Sequence, residues 1–338
     1  MFLVSRSTSF RGLIYFGCVV LLRLAGCAQD VQTRAQAMLQ RARQLSDIRS
    51  DGAVAFRLKA KFQTVGEDLE TVQGSYTEIW VSRSQWRREV VVGDFRQIDI
   101  GSSGKRWLLY PDGFPERANQ LVALMTPLPP ATTPLEFASF AEPQDGGVKT
   151  DCALTKPMLH NLKAAFCFDK ETGLLLEKFF PERRPRNVVS FSCGYGTFHK
   201  FGELWFPYEV TCWEDRHQTI SASVTELTLY SPVDASLFVA PAGAIELGDC
   251  SGKTVSPILS TNTFALPVLD LERVAWINLW FVVDVKGRPQ NIRILKGANK
   301  DSHKDTLRRV QDWRFHPGTC DGQPIPMTMT MEVPSAPR

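Results

Sequence analysis

The chain has 338 residues, of which 43% are hydrophobic and 22% charged, and its formal net charge at pH 7 is +3. This length has room for two domains, and the apolar content is sufficient for globular cores. The nearly balanced charge, with no basic stripe interleaved with aromatic residues, argues against nucleic acid as a partner.

The first 28 residues have the pattern of a secretory signal peptide. Arg6 and Arg11 precede a ten-residue apolar run, Leu13–Leu22, which is shorter than the roughly 20 residues that cross a bilayer. Residues 24–27, Leu-Ala-Gly-Cys, fit a lipobox in which Cys27 is acylated and becomes the mature N-terminus. Alternatively, a signal peptidase cuts after Ala28. Both alternatives predict export, with membrane association only through a lipid anchor or partners.

Residues 29–241 are predicted to form a β-rich domain led by one helix. Apolar residues recur at helical spacing over Val31–Leu45, and from Val54 the period changes to two, as in half-buried antiparallel strands. Short helices are predicted in the proline-rich stretch at Asn119–Leu124 and Pro134–Phe140. The predicted strands, separated by polar or glycine turns, are Val54–Phe62, Ser75–Val81, Trp86–Val92, Phe95–Ile100, Arg106–Tyr110, Ala164–Asp169, Leu174–Phe180, Val188–Cys193, Leu204–Trp213 and Ile220–Tyr230.

Six cysteines follow Cys27, and six allow about 15 pairings. Chain order favours the disulfides Cys152–Cys167, Cys193–Cys212 and Cys250–Cys320, of which the last would fasten a linker, residues 242–262, to a C-terminal domain, residues 263–338. Disulfides suit an oxidising compartment. Six buried thiols or a zinc site are the alternatives, although no Cys-x-x-Cys or His-x-x-x-His spacing supports zinc.

The C-terminal residues carry the most specific pattern of the chain. An alternating strand ends at Phe281–Arg288, a helix is predicted at Asp301–Gln311, and a last alternating strand runs from Met327 to Val333. The turn between helix and last strand contains a Trp-Arg-Phe-x-Pro motif and a Gly-x-Pro hinge, formed by Trp313, Arg314, Phe315, Pro317, Gly322 and Pro324.

In this order and spacing, residues from about 255 to 338 resemble the C-terminal domain of TonB proteins. Those domains sit in the periplasm and recognise outer-membrane receptors by strand addition. The resemblance implies a small ββαβ domain and a partner-binding edge on the last strand. The residues of that edge would be Ile325, Met327, Met329, Met331 and Val333. The alternative is a covered or merely structural edge, with the three methionines in the core. The resemblance also implies that the exported chain lies in the periplasm or is membrane-anchored in a Gram-negative-type envelope.

The chain departs from energy-transducing TonB proteins, which anchor in the inner membrane by an N-terminal helix and cross the periplasm on a long proline-rich linker. Neither pattern is found in the sequence. The C-terminal domain is therefore interpreted as a binding module rather than a transmitter of force.

A second resemblance covers residues from about 30 to 241. Gly-x-Tyr-x-Glu-x-Trp at Gly74–Trp80, Trp-Arg-x-Glu at Trp86–Glu89 and Asp-x-Ser-Leu-Phe at Asp234–Phe238 resemble the LolA/LolB lipoprotein-carrier superfamily. There, an incomplete curved sheet wraps an apolar cavity, capped by helices, that holds acyl chains. The same residues would also suit an ordinary packed core. The expected lining of such a cavity is Phe56, Leu58, Ile79, Val81, Trp86, Val90, Trp107 and Phe179.

No catalytic pattern is found, because the five histidines are scattered and Ser190–Gly194 lacks the Gly-x-Ser-x-Gly sequence of a nucleophile elbow. We therefore expect an α+β protein that is not an enzyme and needs no cofactor or metal. The first hypothesis is an exported binding module for envelope proteins such as outer-membrane receptors, related to transmembrane transport. The alternative is a carrier of lipids or lipoproteins, with acyl chains as ligand.

Overall fold

The computed structural model describes residues 12–65, 70–109, 121, 125–129, 133–142, 148–157, 162–183, 188–250, 255–256, 259–260, 276–297 and 300–334. It is an α+β fold, with a large, open, curved antiparallel sheet and a small C-terminal sheet, as predicted. Helix α1 spans Gly12–Ser46 and contains the predicted helix Val31–Leu45, and helix α2 spans Lys300–Gln311. Among the described residues, neither helix combines the length and apolarity of a membrane span.

The strands of the large sheet are β1 Phe56–Val65, β2 Thr71–Ser82, β3 Gln85–Val92, β4 Phe95–Ser102, β5 Lys105–Leu109, β6 Phe137–Ala141, β7 Thr150–Thr155, β8 Ala165–Asp169, β9 Leu175–Arg183, β10 Val188–Phe201, β11 Leu204–Glu214, β12 His217–Leu229 and β13 Ile245–Gly248. The remaining strands are β14 Val255–Ser256, β15 Leu259–Ser260, β16 Trp276–Val283, β17 Pro289–Gly297, β18 Phe315–His316, β19 Thr319–Cys320, β20 Gln323–Pro324 and β21 Met327–Pro334. A short 3₁₀ helix spans Ala235–Phe238.

The large sheet consists of two antiparallel meanders placed side by side. Its order is β13-β5-β4-β3-β2-β1-β12-β11-β10-β9-β8-β7-β6, so β1 and β12 join the two meanders. The helix predicted at Pro134–Phe140 is wrong, because Phe137–Ala141 forms strand β6 and pairs with β7, which buries Phe137. Tertiary pairing overrides local propensity there. The helix predicted at Asn119–Leu124 lies outside the described residues except for Leu121.

Helix α1 covers one face of the large sheet, which we call the α1 face and define by Phe56, Trp80 and Trp86. Ala35, Leu39 and Ala42, spaced three and four residues apart on α1, are buried in the same core as these aromatic side chains. The side chain of Gln32 also bonds the backbone at the start of β6 and just before it, accepting from Phe137 N–H at 2.7 Å and donating to the Leu135 carbonyl at 2.9 Å. The face on the other side of the sheet is called the outer face.

The small sheet has the order β17-β16-β21, and α2 packs on one of its faces. Two short pairings, β14 with β19 and β15 with β18, show that part of the expected linker 242–262 is an ordered strap along the C-terminal module. The described part of the chain contains all three predicted disulfides, Cys152–Cys167, Cys193–Cys212 and Cys250–Cys320.

Candidate functional site

Strand β21 forms one edge of the small sheet. It pairs with β16 in a continuous antiparallel register from Trp276 opposite Pro334 to Val283 opposite Met327. Within the described ranges, no strand pairs with the other side of β21. A sheet edge of this kind presents backbone N–H and C=O groups to which an extended chain can add.

The side chains expected to contact a partner mostly belong to the small core. Met329, Met331 and Val333 pack with Phe281, Val310 and Phe315 beneath α2, and Met327 occupies the space above Gly318. Sequence reasoning missed the complementary set, Thr328, Thr330 and Glu332, which alternates with the methionines and faces away from this core. The period-two pattern of Met and Thr was the available signal.

The residues just before β21 lie against the large sheet. The Gly248 N–H at the end of β13 donates to the Pro326 carbonyl at 3.0 Å, and Ile325 packs over Gly248. Nearby, Leu108 and Leu247 of the large sheet share a buried apolar cluster with Trp280 and Val282 of the small sheet. The edge that is open for pairing therefore begins after Pro326, and Ile325 contacts the large sheet at Gly248.

The turn motif between α2 and β21 holds the small core together. Trp313 and Phe315 form an edge-to-face pair with ring centroids 6.3 Å apart, and Phe315 N–H donates to the Gly287 carbonyl at 2.9 Å. Gly287 has a φ of +75°, and a Cβ there would overlap the Phe315 carbonyl oxygen, so only glycine fits. Arg314 is exposed and donates to the Trp313 carbonyl at 2.7 Å.

The Gly-x-Pro segment is a tight hairpin rather than a hinge. Asp321 and Gly322 both have positive φ, of 47° and 79°, and they connect the paired strands β19 and β20. An Asp-Gly pair with two positive φ values is typical of the turns that join antiparallel strands. Pro324 ends β20, and Pro317 lies just before β19.

The α1 face carries a buried ionic cluster around Glu78, whose side chain is 0% exposed. Arg49, three residues beyond α1, donates to this carboxylate through Nε at 3.1 Å and also through Nη2. Arg88 Nε donates to the same carboxylate at 3.0 Å, and the Tyr76 hydroxyl also donates to it, at 3.1 Å. The carboxylate thus ties the end of α1 to strands β2 and β3.

The electrostatics of this cluster favour the ionised carboxylate. Burial opposes ionisation of Glu78, but the charges and hydrogen bonds of Arg49 and Arg88 outweigh it and lower its pKa from 4.5 to about 2. Burial and the neighbouring Glu78 carboxylate raise the pKa of Tyr76 far above its usual value, so its hydroxyl remains a donor. A second buried carboxylate, Asp99, accepts two hydrogen bonds from Arg106 at 2.8 and 2.7 Å.

These contacts explain the motif at Gly74–Trp80. With period two, its four specified residues point to the α1 face. Gly74 leaves room for the Phe62 ring, Tyr76 and Glu78 belong to the ionic cluster, and Trp80 stacks on Phe56 with ring centroids 5.6 Å apart. The motif therefore has a structural role beneath α1.

The residues expected to line one apolar cavity lie on different faces. Phe56, Leu58, Trp86 and Val90 are 0–6% exposed in the core beneath α1. Ile79, Val81 and Trp107 belong to an outer-face cluster with Phe238, and Phe179 lines a separate outer-face pocket. The expectation of a shared lining is wrong, because adjacent positions such as Ile79 and Trp80 point to opposite faces of a strand. The described residues hold no group of three side chains suited to a metal ion.

Comparison with known proteins agrees with the C-terminal resemblance. Residues 276–334 match the family described as the Gram-negative bacterial TonB protein C-terminal. No curated protein sequence matches the chain.

Among solved structures, a LolA superfamily protein from Nitrosomonas europaea is 11% identical, with a TM-score of 0.40, over 61% of this chain and 97% of that one. A DUF1329 family protein from Desulfovibrio piger is 10% identical, with a TM-score of 0.39, over 62% and 97%. The MucA/MucB complex of Pseudomonas aeruginosa gives 12% identity and a TM-score of 0.27 over 90% of this chain and 100% of that one. The LolA superfamily named from the sequence is thus among the matches.

Proposed function

We propose that this chain is an exported binding protein of a Gram-negative envelope, and that its C-terminal module binds an extended segment of an envelope partner along β21. The partner adds as a fourth strand to the order β17-β16-β21. Outer-membrane receptors are the partner class that the TonB resemblance suggests. The large sheet serves as the rigid body to which the module is attached by Cys250–Cys320.

The observation that carries this proposal is the open edge of β21 in a module that matches the TonB C-terminal family. Because Gly248 already bonds Pro326, the partner pairs with residues after Pro326. Its side chains lie beside Thr328, Thr330 and Glu332 on one face, where specificity arises, while the backbone supplies the common affinity.

The alternative, a carrier of lipids or lipoproteins, requires an open apolar face on the large sheet. Phe56, Leu58 and Val90 are at most 1% exposed under α1, and Glu78, Asp99 and their arginines place charges on the same face. We therefore propose binding by strand addition rather than carriage of acyl chains.

Site-directed cross-linking tests the proposal. A photo-cross-linking amino acid is placed at Thr330 on β21, or at Gln290 on the opposite edge strand β17, both of which are exposed. The full chain is purified from its native envelope, and cross-linked proteins are identified by mass spectrometry. We expect an outer-membrane receptor at Thr330 and none at Gln290. The segment found is then made as a peptide, and hydrogen exchange should slow in 327–334 but not in 289–297.

Equal cross-linking at both positions, or protection outside β21, would contradict strand addition at this edge. Deletion of Met327–Arg338 is a poor test, because Met329, Met331 and Val333 form part of the small core. The cross-linking variants leave these side chains in place.

A further inference from the structure

A pocket of about 630 Å³ lies on the outer face of the large sheet, away from the edge of β21. Its lining comes from β9, β10, β11 and the turn that follows β11. The lining residues are Glu177, Phe179, Ser190, Ser192, Trp213, Asp215 and Arg216. Their neighbours Phe191, Cys193 and Cys212 are buried on the α1 face, which places the pocket on the opposite side of the same strands.

The strand register arranges this lining as a slot. Phe179, Ser192 and Trp213 lie opposite one another on three adjacent strands. Strands spaced about 4.8 Å apart therefore separate the backbones that carry the two aromatic side chains by about 10 Å, with a serine between them. Gly194, the next outward-facing residue of β10, has no side chain, and the Trp213 ring lies 3.5 Å from the position that a Cβ would occupy there.

Polar groups close the two ends of the slot. Glu177 lies in register with Gly194, and the turn residues Asp215 and Arg216 lie beside Ser190. The Asp215 carboxylate accepts from Ser190 N–H at 2.7 Å, which holds this turn against β10. Arg216 has a φ of +73°, a conformation for which glycine is the usual residue, so the turn carries a guanidinium at some conformational cost.

We propose that this outer-face pocket binds a neutral sugar ring of an oligosaccharide. The apolar C–H faces of a pyranose pack between the rings of Phe179 and Trp213, and its hydroxyl groups exchange hydrogen bonds with the serine hydroxyls, carboxylates and guanidinium around them. The lining has two carboxylates and one guanidinium, so a phosphorylated or acidic sugar meets a surplus of negative charge.

Two other ligand classes fit this geometry less well. An extended peptide cannot add here as a strand, because β10 is already paired with β9 on one side and β11 on the other. A wholly apolar ring would displace water from the serine, carboxylate and guanidinium groups of the lining and offer them no hydrogen bond in exchange, which disfavours its burial.

Calorimetric titration of the full-length protein with two neutral trisaccharides, cellotriose and N,N′,N″-triacetylchitotriose, tests the proposal, with glucose 6-phosphate as the acidic probe. We expect saturable binding of at least one trisaccharide, and at least about tenfold weaker binding of glucose 6-phosphate. Trp213→Ala should weaken trisaccharide binding by about tenfold or more.

The matched control is Trp205→Ala, at the other end of the same strand and on the same face, where the indole lies beside Lys200 instead of the pocket. It should bind the trisaccharide as the wild type does. Ser192→Phe, which fills the slot at a partly exposed position, should also abolish binding while the melting temperature is kept. Three results would overturn the proposal: neither trisaccharide binds, glucose 6-phosphate binds as tightly as the trisaccharides, or Trp213→Ala and Ser192→Phe bind like the wild type.

Discussion

The two described helices are held on their sheets by different kinds of interaction. Beyond the end of α1, Arg49 forms a buried ion pair with Glu78, which also accepts hydrogen bonds from Arg88 and Tyr76. Beneath α2, the core cluster consists of apolar side chains, among them Phe281, Val310 and Phe315. Both helices also bury apolar residues, so the difference lies in the charge beneath α1.

This difference has two physical consequences. The hydrogen bonds of an ion pair keep their geometry at only one position of the helix end, whereas apolar packing tolerates small shifts of the helix. A buried carboxylate also makes stability depend on pH, whereas an apolar core does not. The large sheet should therefore be sensitive to charge and acid, and the small sheet to backbone fit.

The largest effect is expected from Glu78→Ala. Removing this carboxylate leaves Arg49 and Arg88 buried without their main acceptor, which should cost about 3–5 kcal/mol of the unfolding free energy of the large sheet. Glu89→Ala is the matched control, since Glu89 is also bonded to two arginines, Arg87 and Arg96, but is partly exposed. It should cost less than about 1 kcal/mol. Calorimetry of both variants measures the two losses of unfolding free energy. Equal losses would show that the burial of Glu78 is not the cause of its larger expected effect.

The next largest loss of stability is expected from removing the disulfide that connects the large sheet to the small module. Cys250–Cys320 encloses a sequence separation of 70 residues, for which the chain-entropy model gives about 4 kcal/mol. Replacing both cysteines by serine should lower the melting temperature of the small module and leave that of the large sheet nearly unchanged. Replacing Cys152 and Cys167, with a separation of 15, by serine should instead lower the melting temperature of the large sheet and leave that of the small module nearly unchanged. If both pairs shift the same calorimetric transition, the regions unfold as one unit.

Acid should affect the large sheet through Glu78. Its pKa is lowered in the folded state from 4.5 to about 2, so its contribution is fully present above pH 4.5 and is lost as the pH falls through about 2. The loss amounts to about 3 kcal/mol. Urea unfolding between pH 6 and pH 2 measures it, and Glu78→Gln should remove this part of the pH dependence. An unchanged slope in that variant would assign the acid sensitivity to other groups.

The smallest difference in stability is expected between alanine substitutions at two glycines of the small module. Gly287→Ala must place a Cβ in the left-handed region and against the Phe315 carbonyl, for an expected loss of about 3 kcal/mol. Gly322→Ala has only the cost of a left-handed backbone conformation, because nothing lies within 4 Å of the added Cβ. The expected loss of unfolding free energy is therefore about 1 kcal/mol. Equal destabilisation in urea titrations would mean that the contact with Phe315 relaxes without cost.

The sequence by itself determined ten of the strand-forming segments of the large sheet, helix α2 and the ββαβ order of the C-terminal module. These follow from local periodicity: apolar residues alternate along Ile277–Val283, and Leu307 and Val310 share one face of α2. Cysteine order was likewise sufficient to predict the three disulfides. β6, β7 and β13 were missed. The five residues of β6 follow a proline-rich stretch, and only pairing with β7 makes them a strand.

Only the tertiary structure decided which residues meet across the sheets. Periodicity assigns alternate residues to two faces but not what covers each face, so Ile79 and Phe56 were expected in one cavity although they lie on opposite faces. The partners of Glu78 are 29 and 10 residues away, and Phe179 and Trp213 are 34 apart, brought into register by β10. Such contacts depend on long-range strand pairing, which no local sequence pattern specifies.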